Sequence, residues 1–394
     1  MTSFDPAAAT AAYIAQLPPD VLTKAAAYTH GNEWLLLWDW VAGFVVALII
    51  LKSGILIATR NGIQRSRARP LLASFVVGLV YALSDRVLSL PWSVYRNWWR
   101  ERAFGLSSQS LPSWLTDTAI QSVAFVLILS LLLTGIYFLF RRTGGLAWLW
   151  SGGLTAFVIL LVLIVEPVFL EPLLNDYQPA PAGPVRDAVS QLAKDAGIPQ
   201  DRIFIYNGSK QSNRYTANVS GLFGTARIAM SDVMFQKGAD LHEVRGVVAH
   251  EISHYIHKDG LMLAGAVGII LLFTFWLTGL LFQPVRDLLG ATQIESITDP
   301  AGIPIIVIII SAVLLICQPL INTVIRVNEA RADRYSVEHT QEADGLARAL
   351  IQTAEYRNPT PTRLEEILFY DHPSVERRIR MLMEWKAAHL SEAR

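Results

Sequence analysis

Charged side chains are scarce in this chain. Of its 394 residues, 17% are charged and 52% are hydrophobic. A soluble domain has about a quarter of its residues charged. The shortage of charge therefore predicts a membrane protein before any motif is considered.

Cysteine and net charge are almost absent as well. The one cysteine, Cys317, lies in an apolar run, which excludes a disulfide within the chain and a cysteine-based metal site. The formal net charge is zero, so no basic excess points to a nucleic-acid partner. The segment Met1–Gly31 is polar and lacks a basic region before an apolar core, which argues against a cleaved signal peptide.

Long apolar runs are abundant, and the lipid bilayer is the partner that they imply. Six stretches reach the roughly 20 residues that a bilayer crossing requires. They are Trp34–Ile57, Leu71–Leu90, Ala119–Phe140, Leu146–Leu170, Leu261–Phe282 and Gly302–Ile325. Tryptophans near their ends, such as Trp34, Trp92 and Trp148, are typical of an interfacial belt. Six buried core helices of this length are a much poorer explanation than six spans.

Two polar segments complete the organisation, and together with the apolar runs they predict a mainly α, polytopic membrane helix bundle with a small α+β domain. The predicted order is a polar or amphipathic segment 1–33, four spans over 34–170, an α+β segment 171–260, two spans over 261–325 and a helical segment 326–394.

The first polar segment has mixed periodicity. Apolar spacing predicts a helix over Pro184–Ala196, and Arg202–Tyr206 is typical of a strand. Tyr215–Val219 and Ala226–Met230 flank a Gly221/Gly224 turn, as in a hairpin. Asp240 with Glu243 predicts a capping box that begins a helix, and Lys258-Asp259-Gly260 predicts its end.

That predicted helix carries an H-E-x-x-H motif, His250-Glu251-Ile252-Ser253-His254. Residues four apart share a helix face, so the two imidazoles can bind one zinc ion with the glutamate beside the open position. A catalytic zinc needs three protein ligands and one water. Glu251 is then the predicted base that activates this water. Two solvated surface histidines are the alternative.

The third ligand must come from elsewhere. The pattern in which a glycine and a third histidine follow the motif is absent, since those positions hold His257 and Gly260. His257 shares the helix face and is one alternative. Glu329, on the helix that continues from the last span, is the better candidate, and Asp333 could accept the N–H of a ligating histidine. An ordinary solvated helix would also explain Glu329 and Asp333.

Topology is compatible with Glu329. The motif follows four predicted spans and Glu329 follows six, and because both counts are even, both segments lie on the same membrane face.

These residues resemble the type I CAAX prenyl proteases, the membrane zinc peptidases that remove the C-terminal tripeptide of prenylated proteins. The likeness is carried by Leu174–Tyr177, Gly208–Lys210, Gly221–Ile228, the H-E-x-x-H motif, Glu329 with Asp333, and His372-Pro373 with Arg378. The resemblance implies one Zn²⁺ per chain, held by His250, His254 and Glu329, with Asp333 behind a ligand. A monomer is compatible with the sequence.

The same resemblance implies a substrate site. His372 and Arg378 would stabilise the oxyanion or hold the peptide, although a helix-start turn and a solvated helix would also explain them. The family also implies an edge strand that pairs with extended substrate. Tyr215–Val219 is the candidate, with Ala217 and Asn218 at its centre.

The chain departs from the family in its span count. Eukaryotic members have seven spans, and the one absent here is the first. Intramembrane charges normally face a protein interior or water, so the candidates for the lining of an internal chamber are Asp39, Asp85, Arg86 and Glu166. Arginine counts on the two faces nearly balance, and the resemblance favours a cytoplasmic catalytic face.

Other functions compete with this interpretation. A quality-control membrane metallopeptidase would have no prenyl requirement, but such enzymes have fewer spans before the motif. An intramembrane site-2 protease is disfavoured because charged residues flank the motif. A non-catalytic membrane scaffold is disfavoured by the intact Glu251.

Overall fold

The predicted membrane helices are present in the structure, a computed structural model that describes residues 4–221, 226–235, 238, 240–354 and 356–392. In this part of the chain, six helices are long and apolar enough to cross a membrane. They are Pro19–Ser53, Pro70–Ala103, Leu111–Arg142, Gly144–Phe169, Asp259–Leu288 and Pro300–Thr340. With one four-stranded sheet, they confirm the predicted mainly α, polytopic fold.

The membrane-rich first half consists of helices. In chain order these are α1 (Pro6–Ile14), α2 (Pro19–Ser53), α3 (Ile55–Gln64), α4 (Pro70–Ser93), α5 (Arg100–Ala103), α6 (Leu111–Arg142), α7 (Ala147–Phe169) and α8 (Glu171–Leu174).

The first span differs from the predicted one at both ends. Helix α2 begins at Pro19 rather than Trp34, because proline fits the first helical turn and no further proline interrupts the following residues. It ends at Gly54, whose φ of 70° is left-handed, so Ile57 already belongs to the next helix. The polar N-terminal segment is therefore helical, and the Tyr13 hydroxyl ties it to Asp344 at 2.8 Å.

The second span is irregular near its C-terminal end. Pro91 lies inside α4, and a π-helical turn over Val94–Trp99 joins α4 to α5. Proline lacks the backbone donor of a helical hydrogen bond, and single π turns are a common way to absorb such a defect. The charged pair in this span is satisfied locally, since Arg86 lies 3.6 Å from Asp85 and stacks on Phe125.

The second half contains the sheet and the remaining helices. In chain order these are β1 (Tyr177–Pro179), α9 (Pro184–Asp195), β2 (Ile203–Tyr206), β3 (Ala217–Ser220), β4 (Arg227–Ser231), α10 (Leu241–Ile256), α11 (Asp259–Leu288), α12 (Ile303–Thr340), α13 (Ala343–Thr353), α14 (Arg363–Phe369) and α15 (Val375–Glu392).

The sheet has the order β1-β2-β4-β3. Strand β4 is parallel to β2, whereas β1 and β3 pair antiparallel with their neighbours. Three strands were predicted within one or two residues of their bounds. The turn between β3 and β4, with Gly224, lies partly outside the described residues. Strand β1 was missed because three residues that include Pro179 give no readable alternation.

Packing against the sheet holds α10 in place. Val244, Val248 and Ile252, all buried, lie in one core with the sheet and α9. On its other side α10 contacts α12 and α13. Helix α12 continues without a break from the membrane to Thr340 and carries Glu329 and Asp333 on the extension, as predicted.

Candidate metal centre and catalytic cleft

The start of α10 is fixed by a side-chain cap. Asp240 accepts hydrogen bonds from the backbone N–H groups of His242 and Glu243. The predicted reciprocal half of the capping box is not formed, because the Glu243 carboxylate binds Arg348 and Gln352 on α13 instead. The cap therefore also ties α10 to α13.

Three candidate ligand atoms converge where α10 crosses α12. The Nε2 atoms of His250 and His254 are 3.3 Å apart. Glu329 places one carboxylate oxygen 3.2 Å from His250 Nε2 and the other 3.4 Å from His254 Nε2. Two ligands at 2.0–2.1 Å in a tetrahedral site would be separated by about 3.3 Å. The three side chains therefore have the spacing that a zinc-sized ion requires.

One carboxylate oxygen of the site is buried without a hydrogen bond, which a bound cation would compensate. Glu329 Oε2 is buried and accepts no well-aligned hydrogen bond, although His250 Nε2 lies 3.2 Å and His372 Nε2 3.3 Å away. Two imidazoles and a carboxylate that face one point are a donor set found in catalytic zinc sites. The residues present thus fit the metal.

Each candidate histidine ligand is oriented by its own aspartate. His250 Nδ1 lies 2.9 Å from Asp333 Oδ1, and His254 Nδ1 lies 2.8 Å from Asp259 Oδ2. With Nδ1–H donating to a carboxylate, the Nε2 lone pair of each ring is free to face the metal. Asp259 was missed, because its position after the motif was interpreted only as the helix end.

The two aspartates have cationic partners of their own. Arg378 donates to both oxygens of Asp333, at 2.7 and 2.6 Å, and all of this pair is buried. Arg331 pairs with Asp259. Arg378 lines the cleft as well, but its Nε and one Nη are committed to Asp333, and the other contact is Glu329 Oε2 at 3.7 Å.

Glu251 and His372 lie beside the ligand cluster. Both line a cleft of about 460 Å³ together with the three candidate ligands. Burial raises the pKa of the Glu251 carboxyl, although His250 and His254 oppose the rise. His372 Nε2 is 3.3 Å from Glu329 Oε2, and its Nδ1 is 2.7 Å from Asp371. Burial and the charge of Arg357 lower the pKa of His372.

The predicted substrate strand is an edge strand. In the described sheet, β3 pairs only with β4. Tyr215, Thr216 and Ala217 line the cleft, whereas Asn218 does not. The Asn218 side-chain oxygen is buried without a partner. Backbone groups along β3 are thus placed to pair with an extended chain in the cleft.

His257 is not a third ligand in this structure. Its Nδ1 faces Ser253, at 3.1 Å from the hydroxyl and 2.9 Å from the carbonyl oxygen, and its ring lies edge-on to Tyr335. It lies at the first turn past the end of α10, where the ring points away from the cluster. Among the described residues, the other group with metal-like spacing is the partly exposed set His30, Glu33 and Glu365.

The charges predicted to line an internal chamber are only partly found there. A second cavity of about 790 Å³ adjoins the cleft, and Arg86 lies in its wall. Asp39 binds Arg96, which lines it. Asp85 pairs with Arg86 behind the wall. Glu166 is exposed on the surface of α7 instead, because that helix packs at the outside of the bundle.

A membrane helix bundle whose H-E-x-x-H helix meets a glutamate from a second helix defines the class of the membrane metallopeptidases. The chain belongs to peptidase family M48, whose model matches residues 179–386. The model described as CAAX prenyl protease N-terminal, five membrane helices, matches residues 7–176, where the described structure has four candidate spans. The predicted family, fold and metalloprotease activity are thereby confirmed.

Known proteins are similar over most of the chain. An uncharacterized metalloprotease, YhfN of Bacillus subtilis, is 26% identical over 92% of this chain and 85% of its own. The CAAX prenyl protease 1 of Saccharomyces cerevisiae is 26% identical over 78% of this chain and 71% of its own. The crystal structure of S. mikatae Ste24p has the same fold, with a TM-score of 0.74 at 20% identity over 93% of this chain and 89% of its own.

Proposed function

We propose that this membrane metalloprotease is a zinc endopeptidase that cleaves extended peptides near their C-terminus, in the manner of the CAAX prenyl proteases. His250, His254 and Glu329 would hold the ion. The observation that carries the proposal is the convergence of these three ligand atoms, within 4.8 Å of one another, beside Glu251 in a cleft.

The zinc ion, when bound, supplies Lewis acidity and lowers the pKa of its water. Glu251 lines the same cleft as the ligands and takes the proton from the attacking water. Its raised pKa suits a base that must then give the proton to the leaving amine. Asp333 and Asp259 keep the two imidazoles in the tautomer and direction that a ligand needs.

The remaining cleft residues act on the substrate. Strand β3 pairs with the extended peptide through its free backbone edge, with Ala217 facing the cleft and Asn218 at the next position. His372, held by Asp371, has its Nε2 atom 3.3 Å from Glu329 Oε2. In its protonated form it would donate from Nε2 to the polarised carbonyl oxygen of the substrate. Arg378 acts mainly through Asp333, to which two of its nitrogens are bound.

The catalytic face is proposed to be cytoplasmic. Helix α15 follows the sixth span on the same side as α10, so a C-terminal reporter records the orientation. A cytoplasmic face predicts fluorescence of a fused green fluorescent protein and no activity of a fused alkaline phosphatase. The opposite result would reverse the orientation.

A quality-control peptidase with no prenyl requirement is the second candidate. YhfN, which is similar over 92% of this chain, is named only as a metalloprotease. The 790 Å³ cavity beside the cleft is also lined by many polar side chains, such as Gln109, Gln121 and Asn322. A polar wall suits a peptide chain irrespective of a lipid group.

The test uses wild type and Glu251→Gln purified in detergent, with Glu338→Gln, an exposed glutamate of α12, as the matched control. Each protein is assayed for bound zinc and on quenched peptides with and without a C-terminal prenyl-cysteine motif. We expect about one zinc per chain in all three and hydrolysis of the prenylated peptide by wild type and control only. Cleavage of both peptides at similar rates, or of the unprenylated peptide alone, would favour the second candidate. Absence of zinc would overturn the proposed metal centre.

A further inference from the structure

The catalytic cleft and the larger cavity meet at a narrow set of residues. The cleft of about 460 Å³ holds the candidate ligands, and the cavity of about 790 Å³ extends from it between α2, α4 and α6. Three residues line both spaces: Tyr356, Arg357 and His372. A peptide that extends through both spaces would lie against them.

Arg357 differs from the other cations in the cavity wall, which have partners. The partnered pairs are Arg86–Asp85 at 3.6 Å, Arg96–Asp39 at 2.8 Å and Arg214–Glu101 at 2.8 Å. Arg100 donates to the Asn32 side chain and to the Tyr28 carbonyl oxygen. In the described part of the chain, no carboxylate oxygen lies within 4.0 Å of the Arg357 guanidinium. Its guanidinium lies 5.7 Å from the ring of Tyr356, and its charge helps to lower the pKa of Asp371 in the same cavity wall without forming an ion pair with it.

The backbone next to Arg357 is held on two sides. The Asn358 N–H donates to the Thr29 hydroxyl of α2 at 2.8 Å, and the Pro359 carbonyl oxygen accepts from the Glu376 N–H of α15 at 3.1 Å. A cation on an anchored backbone can define a position in the cavity, which one on a free loop cannot.

We propose that Arg357 binds the free α-carboxylate at the C-terminal end of the peptide substrate. This rests on the proposed function, since it assigns a recognition site to the same cleft. A carboxylate that enters a cavity loses its hydration, and this is tolerated only when the charge is paired. The planar guanidinium matches a carboxylate with two parallel hydrogen bonds. Because Arg357 borders the cleft that holds His372, a bound chain end would lie only a short distance from the scissile bond.

The test measures binding rather than cleavage. Zinc-loaded Glu251→Gln protein is titrated with three fluorescent peptides of one sequence: the free acid, the C-terminal amide, and the amide with one aspartate near its end. The same titrations are made after adding Arg357→Gln, Arg357→Lys or Arg380→Gln. Arg380, on α15, is exposed, pairs with Glu384 at 3.1 Å, and is the matched control.

We expect the free acid to bind at least tenfold more tightly than the amide in Glu251→Gln and in the Arg380→Gln control. Arg357→Gln should abolish this difference with unchanged zinc content, and Arg357→Lys should keep part of it. Equal binding of acid and amide, discrimination that survives Arg357→Gln, or no binding of the free acid would each overturn the inference. Tight binding of the aspartate-bearing amide would show that the site binds a side-chain carboxylate. It would overturn the assignment of Arg357 to the C-terminal carboxylate of the peptide.

The binding data are independent of turnover. If wild type cleaves none of the peptides while the acid–amide difference depends on Arg357, the proposed peptidase reaction fails and the carboxylate site stands.

Discussion

Replacing Asp259 with asparagine should weaken metal binding without unfolding the protein. Asp259 accepts the Nδ1–H of His254 at 2.8 Å and is paired with Arg331. Asparagine can keep the hydrogen bond but loses the negative charge that makes the imidazole a stronger ligand. Changes at such supporting positions cost about 10–100-fold in metal affinity, which corresponds to about 1.4–2.7 kcal/mol.

Because of the environment of Asp259, the substitution should lower the metal affinity rather than the folding stability. The Arg331 side chain is 35% exposed, so water can solvate it when its partner loses charge. The equivalent change at Asp333 would strand the buried Arg378, whose side chain is 6% exposed. Breaking a buried pair costs about 3–5 kcal/mol of stability. A loss of metal affinity could then not be separated from a loss of folded protein. Asp259→Asn is therefore the cleaner variant.

The assay is competition for zinc with a chelating dye, accompanied by thermal unfolding of the metal-free protein. Asp287→Asn is the matched control, since it makes the same substitution at the other end of α11 on an exposed side chain. We expect the dissociation constant to rise for Asp259→Asn only, with the unfolding temperature of the metal-free protein nearly unchanged. An unaltered dissociation constant would refute the argument that Asp259 supports a ligating His254.

Three further outcomes follow from the described contacts. Glu251→Gln should keep its zinc and lose about 10²–10⁴-fold in kcat; normal turnover would remove Glu251 from the base role. In the metal-free protein, burial acts to lower the pKa of His250, but the Glu329 and Asp333 carboxylates outweigh it and raise the pKa to about 10. Zinc must then displace a proton, so its apparent affinity should rise with pH by up to about tenfold per unit below pH 10, and a flat profile in zinc titrations would contradict this. Gly345→Ala should lower stability by about 1–3 kcal/mol, because the new Cβ would lie 2.5 Å from a backbone oxygen of α10; Gly279→Ala, in open space, is the control in thermal unfolding.

The sign of the pH effect can be worked out for folding as well. His250 has a folded pKa of about 10, above the ordinary value of 6.5 for a free histidine. Its protonated form therefore stabilises the metal-free protein below about pH 6.5, and this contribution is lost as the pH rises towards 10. The apparent affinity for zinc has the opposite pH dependence, since it rises with pH. The metal-bound and metal-free proteins should thus differ most in unfolding temperature at alkaline pH.

Local patterns carried the predictions that succeeded. Six spans followed from hydropathy, because each apolar run must satisfy its own backbone within the bilayer. The α10 helix followed from its cap and spacing, and its actual bounds are Leu241–Ile256. Strand β1 was missed because its local pattern is weak. The start of α2 was predicted too late because the residues before Trp34 are polar, although they are helical.

The membrane class and the residues that share a helix face could be predicted from the sequence, since hydropathy and the i, i+4 spacing act within a few residues along the chain. His250, Glu251 and His254 were recognised for that reason. The folded arrangement was needed to see that Asp259 contacts His254, that His257 contacts Ser253 instead of the ligand cluster, and that Arg357 lines both the cleft and the cavity. These depend on how α10 packs against α12 and α13, where contacts such as Gly345 on the His242 backbone select one arrangement. Such long-range packing leaves no periodic trace in the local sequence.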